Sequence, residues 1–465
     1  MNEQHSLKGA EASQAVTEIV IIGAEAAGMS AAAKARRVDK EARITVFEQS
    51  DIISFGACGL PYYIGDFFSN AAEMSEFSPD DFAKKGISVH IRHRVERVDA
   101  EQRLLTVRNL ESNEVFVQPY HRLLVATGAS PIMPPVSGLQ AVMDEGRVSF
   151  VKTMQDGIQL KGTVTSDQIK EVAIIGAGYI GLEMVEALER QGKKVRLFDS
   201  VERPLQVSFD EEIGKLVMQE LADKGINCHW QELLTDVSKG SDGRLNLTTN
   251  KGQYQTDLIV LCTGVRPNTA FLNDLDLNRM GNGAIVVDNQ ARTNIENIFA
   301  AGDCATVPHA QIEEPVWIPL ATYANKLGRL AGEVMGGWDS KFPGAYGAAC
   351  LKVLDLEAAR VGLSEKEAAD QGIDYKKVVI KDKDHTNYYP GQSDIFVKLI
   401  YEAESKKILG GQIAGGRGAV LRVDTLAAAI KGGLTTVDLG MMDLCYAPPF
   451  ARTWDALNVA GNVAK

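Results

Sequence analysis

The sequence predicts an α/β fold that contains two copies of one β-α-β unit. Three observations support this prediction: an internal repeat, short apolar runs typical of buried parallel strands, and acidic residues placed directly after such runs. With 465 residues, the chain is long enough for about three domains. Its 45% apolar and 24% charged residues are typical of a globular protein with a sizeable core.

The repeat aligns residues 18–37 (EIVIIGAEAAGMSAAAKARR) with residues 171–190 (EVAIIGAGYIGLEMVEALER) without a gap. Each copy begins with an apolar run bounded by glycine, which predicts a buried parallel strand, and continues with a helical segment. A second apolar strand follows each copy and ends in an acid, at Glu48 and at Asp199. An acid about 20 residues beyond the first glycine can bond a ribose in a dinucleotide-binding fold.

The glycines of the second copy have separate expected roles. Gly176 allows a tight turn, Gly178 lets the backbone approach a pyrophosphate, and Gly181 lets the helix pack closely on the strand. The free N–H groups and the dipole of the helix N-terminus then favour phosphate. Two such turns predict two Rossmann-like dinucleotide-binding domains, and a plain α/β sheet with two glycine-rich turns is the alternative.

The first copy departs from this pattern at its middle position. It reads G-A-E-A-A-G, with Gly23 and Gly28 retained and Glu25 in place of the middle glycine. We expect this carboxylate to lie near the pyrophosphate, where its charge is electrostatically unfavourable.

Three more apolar strands lead into small or acidic residues. RLLVATGASP (122–131) and LIVLCTGVRPN (258–268) each end in Thr-Gly, and TNIENIFAAGDCA (293–305) ends in Gly302 and Asp303. The Asp303 carboxylate can bond a sugar or ribitol hydroxyl, and a helix predicted over 319–335 can direct its N-terminus at a cofactor. A simple turn at residues 302–303 is the alternative.

One cysteine has a setting that indicates redox chemistry. Cys58, in SFGACGLPYYIGD (54–66), is predicted at the start of a helix, where the dipole would lower its pKa. Its thiolate would be the nucleophile for disulfide exchange, whereas a small buried residue is the alternative. The other five cysteines have no comparable setting, and without a C-x-x-C pair they predict neither a metal site nor a disulfide framework.

Together these motifs resemble the FAD-dependent pyridine nucleotide–disulfide oxidoreductases, and among them the coenzyme A-disulfide reductase branch, over about residues 18–455. The resemblance rests on both glycine turns, ATG (126–128), TNIENIFAAGD (293–303), S-x-x-x-C-G-L-P-Y-Y (54–63), YYPG (388–391) and YAPPF (446–450). It implies FAD and a nicotinamide nucleotide, with NADH favoured over NADPH because Asp199 should repel a 2′-phosphate. It further implies coenzyme A as substrate or as a mixed disulfide on Cys58.

The resemblance also implies roles for individual residues. For the FAD site they are Gly23, Gly28, Glu48, Thr127, Gly128, Gly302 and Asp303. For the nicotinamide nucleotide they are Gly176, Gly178, Tyr179, Ile180, Gly181, Asp199 and Gly264. The catalytic residues would be Cys58, Tyr446, Tyr388 and Tyr389, the tyrosines serving the departing thiol from the other subunit of a homodimer. The resemblance gives Ser54 as a substrate-binding residue. Lys34 and Arg37, three positions apart on one predicted helix face, could bind the phosphates of coenzyme A, and solvated surface charge is the alternative.

The branch is decided by residues that the chain lacks. A C-x-x-x-x-C pair is absent, since Ile53 and Tyr63 stand five residues on either side of Cys58. NADH oxidases and peroxidases usually carry a histidine where this chain has Ala26. An NADH oxidase or peroxidase with a Cys58 sulfenic acid is nevertheless the first alternative. An NADH-sensing flavoprotein of the apoptosis-inducing-factor type is the second.

The expected architecture has three parts after a flexible tail at 1–17. An FAD-binding domain takes 18–148 and 266–337, an NAD(P)-binding domain takes 149–265, and an α+β dimerisation domain takes 338–465. The net charge of −12 argues against nucleic acid or an anionic membrane as partner. No apolar segment reaches the length of about 18 residues that spans a bilayer, and no signal peptide is recognised, so we expect a cytoplasmic protein.

Overall fold

The computed structural model of the chain describes residues 16–465. The predicted tail at 1–17 therefore lies almost wholly outside the described residues. None of the helices between residues 16 and 465 combines the length and the apolar character needed to cross a membrane.

The chain alternates strands and helices through its first two thirds. Up to residue 150 the elements are β1 (Glu18–Ile22), α1 (Ala26–Val38), β2 (Arg43–Phe47), α2 (Leu60–Ile64), α3 (Pro79–Ala83), β3 (Ile87–His90), β4 (His93–Asp99), β5 (Leu104–Asn109), β6 (Val115–Pro119), β7 (Arg122–Val125), β8 (Ala129–Pro131), α4 (Leu139–Asp144) and β9 (Val148–Phe150). The next stretch holds α5 (Met154–Val164), β10 (Glu171–Ile175), α6 (Tyr179–Arg190), β11 (Lys194–Phe198), α7 (Glu211–Asp223), β12 (Asn227–His229), β13 (Leu234–Lys239), β14 (Leu245–Thr249), β15 (Gln253–Thr256), β16 (Leu258–Leu261) and β17 (Val265–Pro267).

The remaining elements complete the first sheet and form a C-terminal layer. They are β18 (Ile298–Ala300), α8 (Ala321–Gly336), β19 (Ala349–Val353), β20 (Leu356–Gly362), α9 (Glu365–Asp370), β21 (Tyr375–Lys383), β22 (Asp394–Glu402), β23 (Ile408–Gly415), α10 (Ala419–Gly432), α11 (Thr436–Gly440) and α12 (Ala456–Val463).

Two five-stranded parallel sheets carry the repeated units. The first has the order β18-β7-β1-β2-β3 and the second β12-β11-β10-β16-β9. The central strands β1 and β10 are apolar and almost fully buried because neighbours flank them on both sides. The carboxyl ends of both central strands therefore lead into the glycine turns, as the repeat predicts.

Small residues let two helices of the first unit approach very closely. Helix α1 packs along α8, and a Cβ added to Gly328 or Gly332 would lie 2.3 Å from the carbonyl oxygen of Ala27 or Ala31, respectively. Any larger residue at either glycine would push the helices apart. The contact fixes the N-terminus of α1 relative to the segment that carries residues 302–303.

The C-terminal part is an antiparallel sheet, β19-β20-β23-β22-β21, with helices α10 and α12 packed on it. Three smaller antiparallel sheets, β4-β5-β6, β13-β14-β15 and β8-β17, complete the set of sheets in residues 16–465. The predicted fold class, two Rossmann-like regions followed by an α+β region, is confirmed. The helix predicted directly after Cys58 is short: a 3₁₀ turn at Ala57–Gly59 leads into the five residues of α2.

Candidate active site

The first glycine of each repeat has the same left-handed backbone. Gly23 has φ +102° and Gly176 has φ +106°. A Cβ at Gly23 would lie 2.2 Å from the carbonyl oxygen of Ala126, and one at Gly176 would lie 2.3 Å from that of Cys262. Only glycine fits either turn, because the adjacent strand crosses directly over it.

The last glycine of each repeat lets the helix begin close to that turn. A Cβ on Gly28 would lie 1.9 Å from the carbonyl oxygen of Gly23, and one on Gly181 would lie 1.9 Å from that of Gly176. At the middle position, a Cβ on Gly178 would meet no atom within 4 Å. Gly178 therefore opens on free space at the N-terminus of α6, as a phosphate cradle requires.

The two predicted ribose-binding acids are held in the same way. Glu48 accepts hydrogen bonds from the backbone N–H groups of Ala24 (2.9 Å) and Ser50 (2.8 Å). Asp199 accepts one from the backbone N–H of Ala177 at 2.6 Å. Each carboxylate thus accepts a hydrogen bond from the backbone N–H of the residue that follows the first glycine, which holds it beside the turn. This arrangement suits a dinucleotide at both turns.

The Thr-Gly segments join the two parts of the first unit. The Thr127 hydroxyl donates to the carbonyl of Asn268 at 2.7 Å, and the Asn268 amide donates to the carbonyl of Thr127 at 3.0 Å. Gly128 and Gly264 follow with φ +64° and +92°. Thr127 has a structural partner here, and its role toward FAD stays a prediction.

Asp303 follows β18 and comes directly after Gly302, which has φ +83°. A Cβ on Gly302 would come 3.0 Å from that of Ala27 in α1, so this turn is packed against the first repeat. Burial raises the pKa of Asp303, while Lys152, 3.8 Å away, lowers it. Lys152 carries no sequence signal for this site, because it follows β9 in the second unit and no local spacing links it to Asp303.

Cys58 lies in the 3₁₀ turn before α2 and retains solvent exposure. Burial raises the pKa of its thiol, and the carboxylates of Glu183 and Asp303 raise it further, although Lys152 opposes them. The expectation of a lowered pKa is therefore wrong for the surroundings that the chain provides. The five-residue helix α2 has a small dipole, and the two facing carboxylates disfavour the thiolate.

Two further side chains belong to the surroundings of Cys58. Burial raises the pKa of Glu183 to about 7, and a hydrogen bond with Tyr62 lowers it. Burial raises the pKa of Tyr62 to about 12, with contributions from Glu183 and from the thiol of Cys58. The sequence held a signal for Glu183, since it stands four residues after Tyr179 and shares a helix face with it.

The backbone of Ser54 shapes the loop that leads to Cys58. Ser54 has φ +52°, its N–H donates to the carbonyl of Ala24 at 2.9 Å, and its carbonyl accepts from the N–H of Glu76 at 3.2 Å. This residue connects the cysteine loop to the first glycine turn. Its role in binding substrate stays a prediction.

Of the three predicted catalytic tyrosines, two form a hydrogen-bonded pair and the third contacts a histidine. The hydroxyl groups of Tyr388 and Tyr446 are 2.9 Å apart, and this hydrogen bond raises the pKa of Tyr446. Both rings are exposed, Tyr388 to 70% and Tyr446 to 44%. Tyr389 instead packs edge-on against His385, with ring centroids 5.7 Å apart. Two segments far apart in sequence thus form one exposed phenol pair.

The two predicted phosphate-binding cations have different surroundings. Lys34 is buried, its ammonium lies 2.9 Å from Glu333 and 4.5 Å from the centre of the Trp338 ring, and its charge is thereby neutralised. Helix α8 thus supplies a carboxylate that helix spacing cannot reveal, and the role of Lys34 in binding substrate stays a prediction. Arg37 is exposed and donates to the carbonyl of Ala33 at 3.1 Å, and its role in binding substrate stays a prediction.

The start of α6 presents two predicted nucleotide contacts. The Tyr179 ring packs against Phe209, with centroids 6.3 Å apart, and Ile180 is 38% exposed. Within residues 16–465 no group of three or more His, Cys, Asp or Glu side chains is arranged to hold a metal ion.

Comparison with known proteins identifies both halves of this architecture. Residues 17–328 match the family described as pyridine nucleotide-disulphide oxidoreductase, and residues 348–457 match its dimerisation domain. The NAD(P)H coenzyme A polysulfide/persulfide reductase of Pyrococcus horikoshii is 35% identical over 96% of this chain and 98% of its own length.

Other relatives cover the chain as fully. The coenzyme A disulfide reductase of Staphylococcus epidermidis is 30% identical over 97% of this chain and 100% of its own. The NADH oxidase of Enterococcus faecalis is 30% identical over 96% of this chain and 99% of its own. A solved NAD-dependent persulfide reductase from A. fulgidus superimposes with a TM-score of 0.90 at 32% identity, covering 96% of this chain and 83% of the other.

Proposed function

Because the chain belongs to the pyridine nucleotide-disulphide oxidoreductase family, we propose that it uses NADH and bound FAD to reduce a coenzyme A disulfide or persulfide at Cys58. One observation supports this most directly. The cysteine loop contacts both dinucleotide units: the Ser54 N–H donates to the carbonyl of Ala24 beside the first turn, and α2 packs on α6 of the second unit. These contacts support a Cys58 thiol between the two proposed nucleotide sites, where electrons from the second unit could reach it through the first.

The residues fit both nucleotides except at Glu25, since each turn offers left-handed glycine, a closely packed helix start and a fastened acid. Gly23, Gly28, Glu48, Gly302 and Asp303 would hold FAD. Bound flavin would supply two-electron transfer from the nicotinamide to sulfur. The protein's own part is to orient the nucleotides and to hold the Cys58 thiol beside them.

Reduction of the substrate at Cys58 takes two steps, thiol–disulfide exchange and then reduction of the mixed disulfide. The Cys58 thiolate attacks one sulfur of a disulfide, forms a mixed disulfide and breaks the original S–S bond, and the departing thiolate takes a proton. Two electrons and a further proton then cleave the mixed disulfide and release the second thiol. Overall, one disulfide, one NADH and one proton give two thiols and NAD⁺. With a persulfide, the products are one thiol and hydrogen sulfide.

The phenol pair suits protonation of the departing thiolate. The bond between Tyr388 and Tyr446 leaves one hydroxyl proton free to donate, and both rings face outward from the C-terminal region. The family's dimerisation domain supports a homodimer in which this pair serves the partner's cysteine. We propose Tyr446 as the acid and Tyr388 as the residue that orients it.

Replacing Tyr446 by phenylalanine should lower kcat for coenzyme A disulfide by about 100-fold, since the leaving thiolate loses its proton donor. The rate at which NADH reduces the flavin should not change, and stopped-flow absorbance measures it separately. Tyr375→Phe, on β21 of the same region, is the control and should keep wild-type turnover. Slower flavin reduction in Tyr446→Phe would contradict the assignment.

Asp199 supports NADH over NADPH. Its carboxylate is fixed beside the turn by the N–H of Ala177, where a 2′-phosphate would meet it. The double change Asp199→Ala with Ser200→Arg should reduce the NADH preference in kcat/KM by about 100-fold, because repulsion is removed and a phosphate partner is added. Asp223→Ala, at the end of α7, is the matched control. An unchanged ratio of the two kcat/KM values would contradict a role for Asp199.

The thiol that is bound to Cys58 in the resting enzyme indicates the substrate. The protein is purified without reductant, and mass spectrometry identifies any thiol that reductant releases from Cys58. Coenzyme A is the expected result, in keeping with the names of the Pyrococcus and Staphylococcus relatives. Release of a different thiol would exclude coenzyme A as the resting partner.

An NADH oxidase is the second candidate, favoured by its 30% identity to the Enterococcus enzyme. Ala26 counts against it, because that position carries no imidazole in this chain. In the absence of any disulfide, consumption of one O2 for every two NADH, with water as product, or of one O2 for each NADH, with peroxide as product, would favour the oxidase.

A further inference from the structure

Glu25 stands at the position that Gly178 occupies in the second repeat, where the backbone opens on space for a phosphate. It is the N-cap of α1, with φ −93° and ψ −154°, and Gly178 is the N-cap of α6, with φ −79° and ψ −169°. The two backbones are therefore alike. A Cβ at Gly178 would meet no atom within 4 Å, so the second unit leaves free the space into which Glu25 projects in the first. Helix N-termini of this kind receive the pyrophosphate of a dinucleotide.

The charges around Glu25 are mostly negative. Glu48 from the end of β2 and Asp303 after β18 act on its carboxyl, and Lys152 after β9 is the cation that acts on it. The Glu25 side chain is exposed, yet partial desolvation of its carboxyl by the surrounding protein raises its pKa; the two carboxylates raise it further, and Lys152 lowers it. The side chain makes no capping hydrogen bond to α1, so the helix does not hold it in the ionised form.

A pyrophosphate carries two negative charges and would enter a site that already holds three carboxyl groups. Ionised Glu25 would repel it, and Lys152 is already engaged with Asp303 at 3.8 Å. A neutral carboxyl group removes that repulsion and adds an O–H donor at the helix N-terminus. We propose that Glu25 binds FAD as a carboxylic acid that donates a hydrogen bond to the pyrophosphate, so that FAD binding takes up one proton.

The uptake of this proton determines how the affinity for FAD changes with pH. Below the pKa of Glu25 in the empty site the carboxyl is already neutral, and affinity for FAD is highest and constant. Above that pKa the proton must be taken from water, so the dissociation constant should rise about tenfold per pH unit. Glu25→Gln carries a permanent amide donor and should bind FAD with no such slope. Glu25→Ala should also lose the slope, with weaker binding at low pH.

The inference rests on the proposed function only for the assignment of FAD to the first turn. Purified holoenzyme is diluted into buffers from weakly acidic to weakly alkaline, and free FAD is measured by its fluorescence. No disulfide substrate is needed. A flavoprotein that reduces no disulfide would overturn the proposed function alone, whereas a protein that holds no flavin would overturn both.

Matched variants test which group takes up the proton. Glu41→Gln, at an exposed position before β2, should keep the wild-type slope. Asp303→Asn should bind FAD more weakly at every pH yet keep the slope. Equal slopes in wild type and Glu25→Gln would overturn the proposal, and so would loss of the slope in Asp303→Asn with its retention in Glu25→Gln.

The second turn provides a reciprocal test. Gly178→Glu places a carboxyl in the open space at the N-terminus of α6, where the backbone is already extended. The KM for NADH should then rise and become pH-dependent, again by about tenfold per pH unit above the carboxyl pKa. A KM for NADH that stays independent of pH in this variant would contradict the proposed location of the phosphate.

Discussion

Replacing Cys58 by serine is expected to lower NADH-dependent reduction of coenzyme A disulfide by at least about 1,000-fold. A serine hydroxyl is not ionised near neutral pH, and its oxygen cannot form the mixed disulfide through which both thiols leave. The substitution should slow only the reaction of the enzyme with the disulfide. NADH should still reduce the flavin, since the nucleotide turns do not depend on the thiol.

Two measurements separate these steps. Steady-state assays with coenzyme A disulfide should show the loss, while stopped-flow absorbance should show flavin reduction within about twofold of wild type. Cys228→Ser is the matched control, because burial raises the pKa of that thiol to about 11 and it lies on β12, in the second unit. Wild-type turnover by Cys58→Ser would remove the basis of the proposed reaction.

The nucleotide turns could be predicted from sequence because their geometry is encoded over a few residues. The backbone of Gly23 and Gly176 must be left-handed, and the acids Glu48 and Asp199 bond to N–H groups of the same turns. Strand, turn, helix and acid thus form one local unit whose order is the same in both copies, with the acid 25 and 23 residues beyond the first glycine. The fold class follows from this spacing.

Features that depend on distant segments could not be predicted in this way. Lys34 has helix spacing suited to a phosphate clamp, yet its partner Glu333 comes from α8, about 300 residues later in the chain. The helix position of Cys58 alone predicts a lowered pKa. Burial instead raises the pKa of this thiol, and so do the carboxylates of Glu183 on α6 and Asp303 after β18.

A buried ion cluster between the second unit and the C-terminal sheet is equally invisible in the sequence. Lys398 on β22 is fully buried, and its ammonium lies 3.1 Å from Asp210 and 2.5 Å from Glu212, both at the start of α7. Glu365, at the start of α9, also pairs with it. Gln412 on β23 donates to Asp210 at 2.8 Å and completes the network. The cluster therefore joins four elements of two regions.

Replacing Lys398 by methionine should lower the free energy of unfolding by about 3 kcal/mol or more, because Asp210 then loses its buried cation. Glu212 and Glu365 keep only the more exposed ammonium of Lys377. Burial lowers the pKa of Lys398, but hydrogen bonds with Glu212 and Glu365 outweigh it and keep the ammonium charged. Urea unfolding followed by circular dichroism measures the loss. The control, Lys366→Met, breaks an exposed pair with Asp370 and should cost less than about 0.5 kcal/mol. Equal effects of the two substitutions would mean that water replaces the lost cation, and that the two regions are held together by their apolar contacts instead.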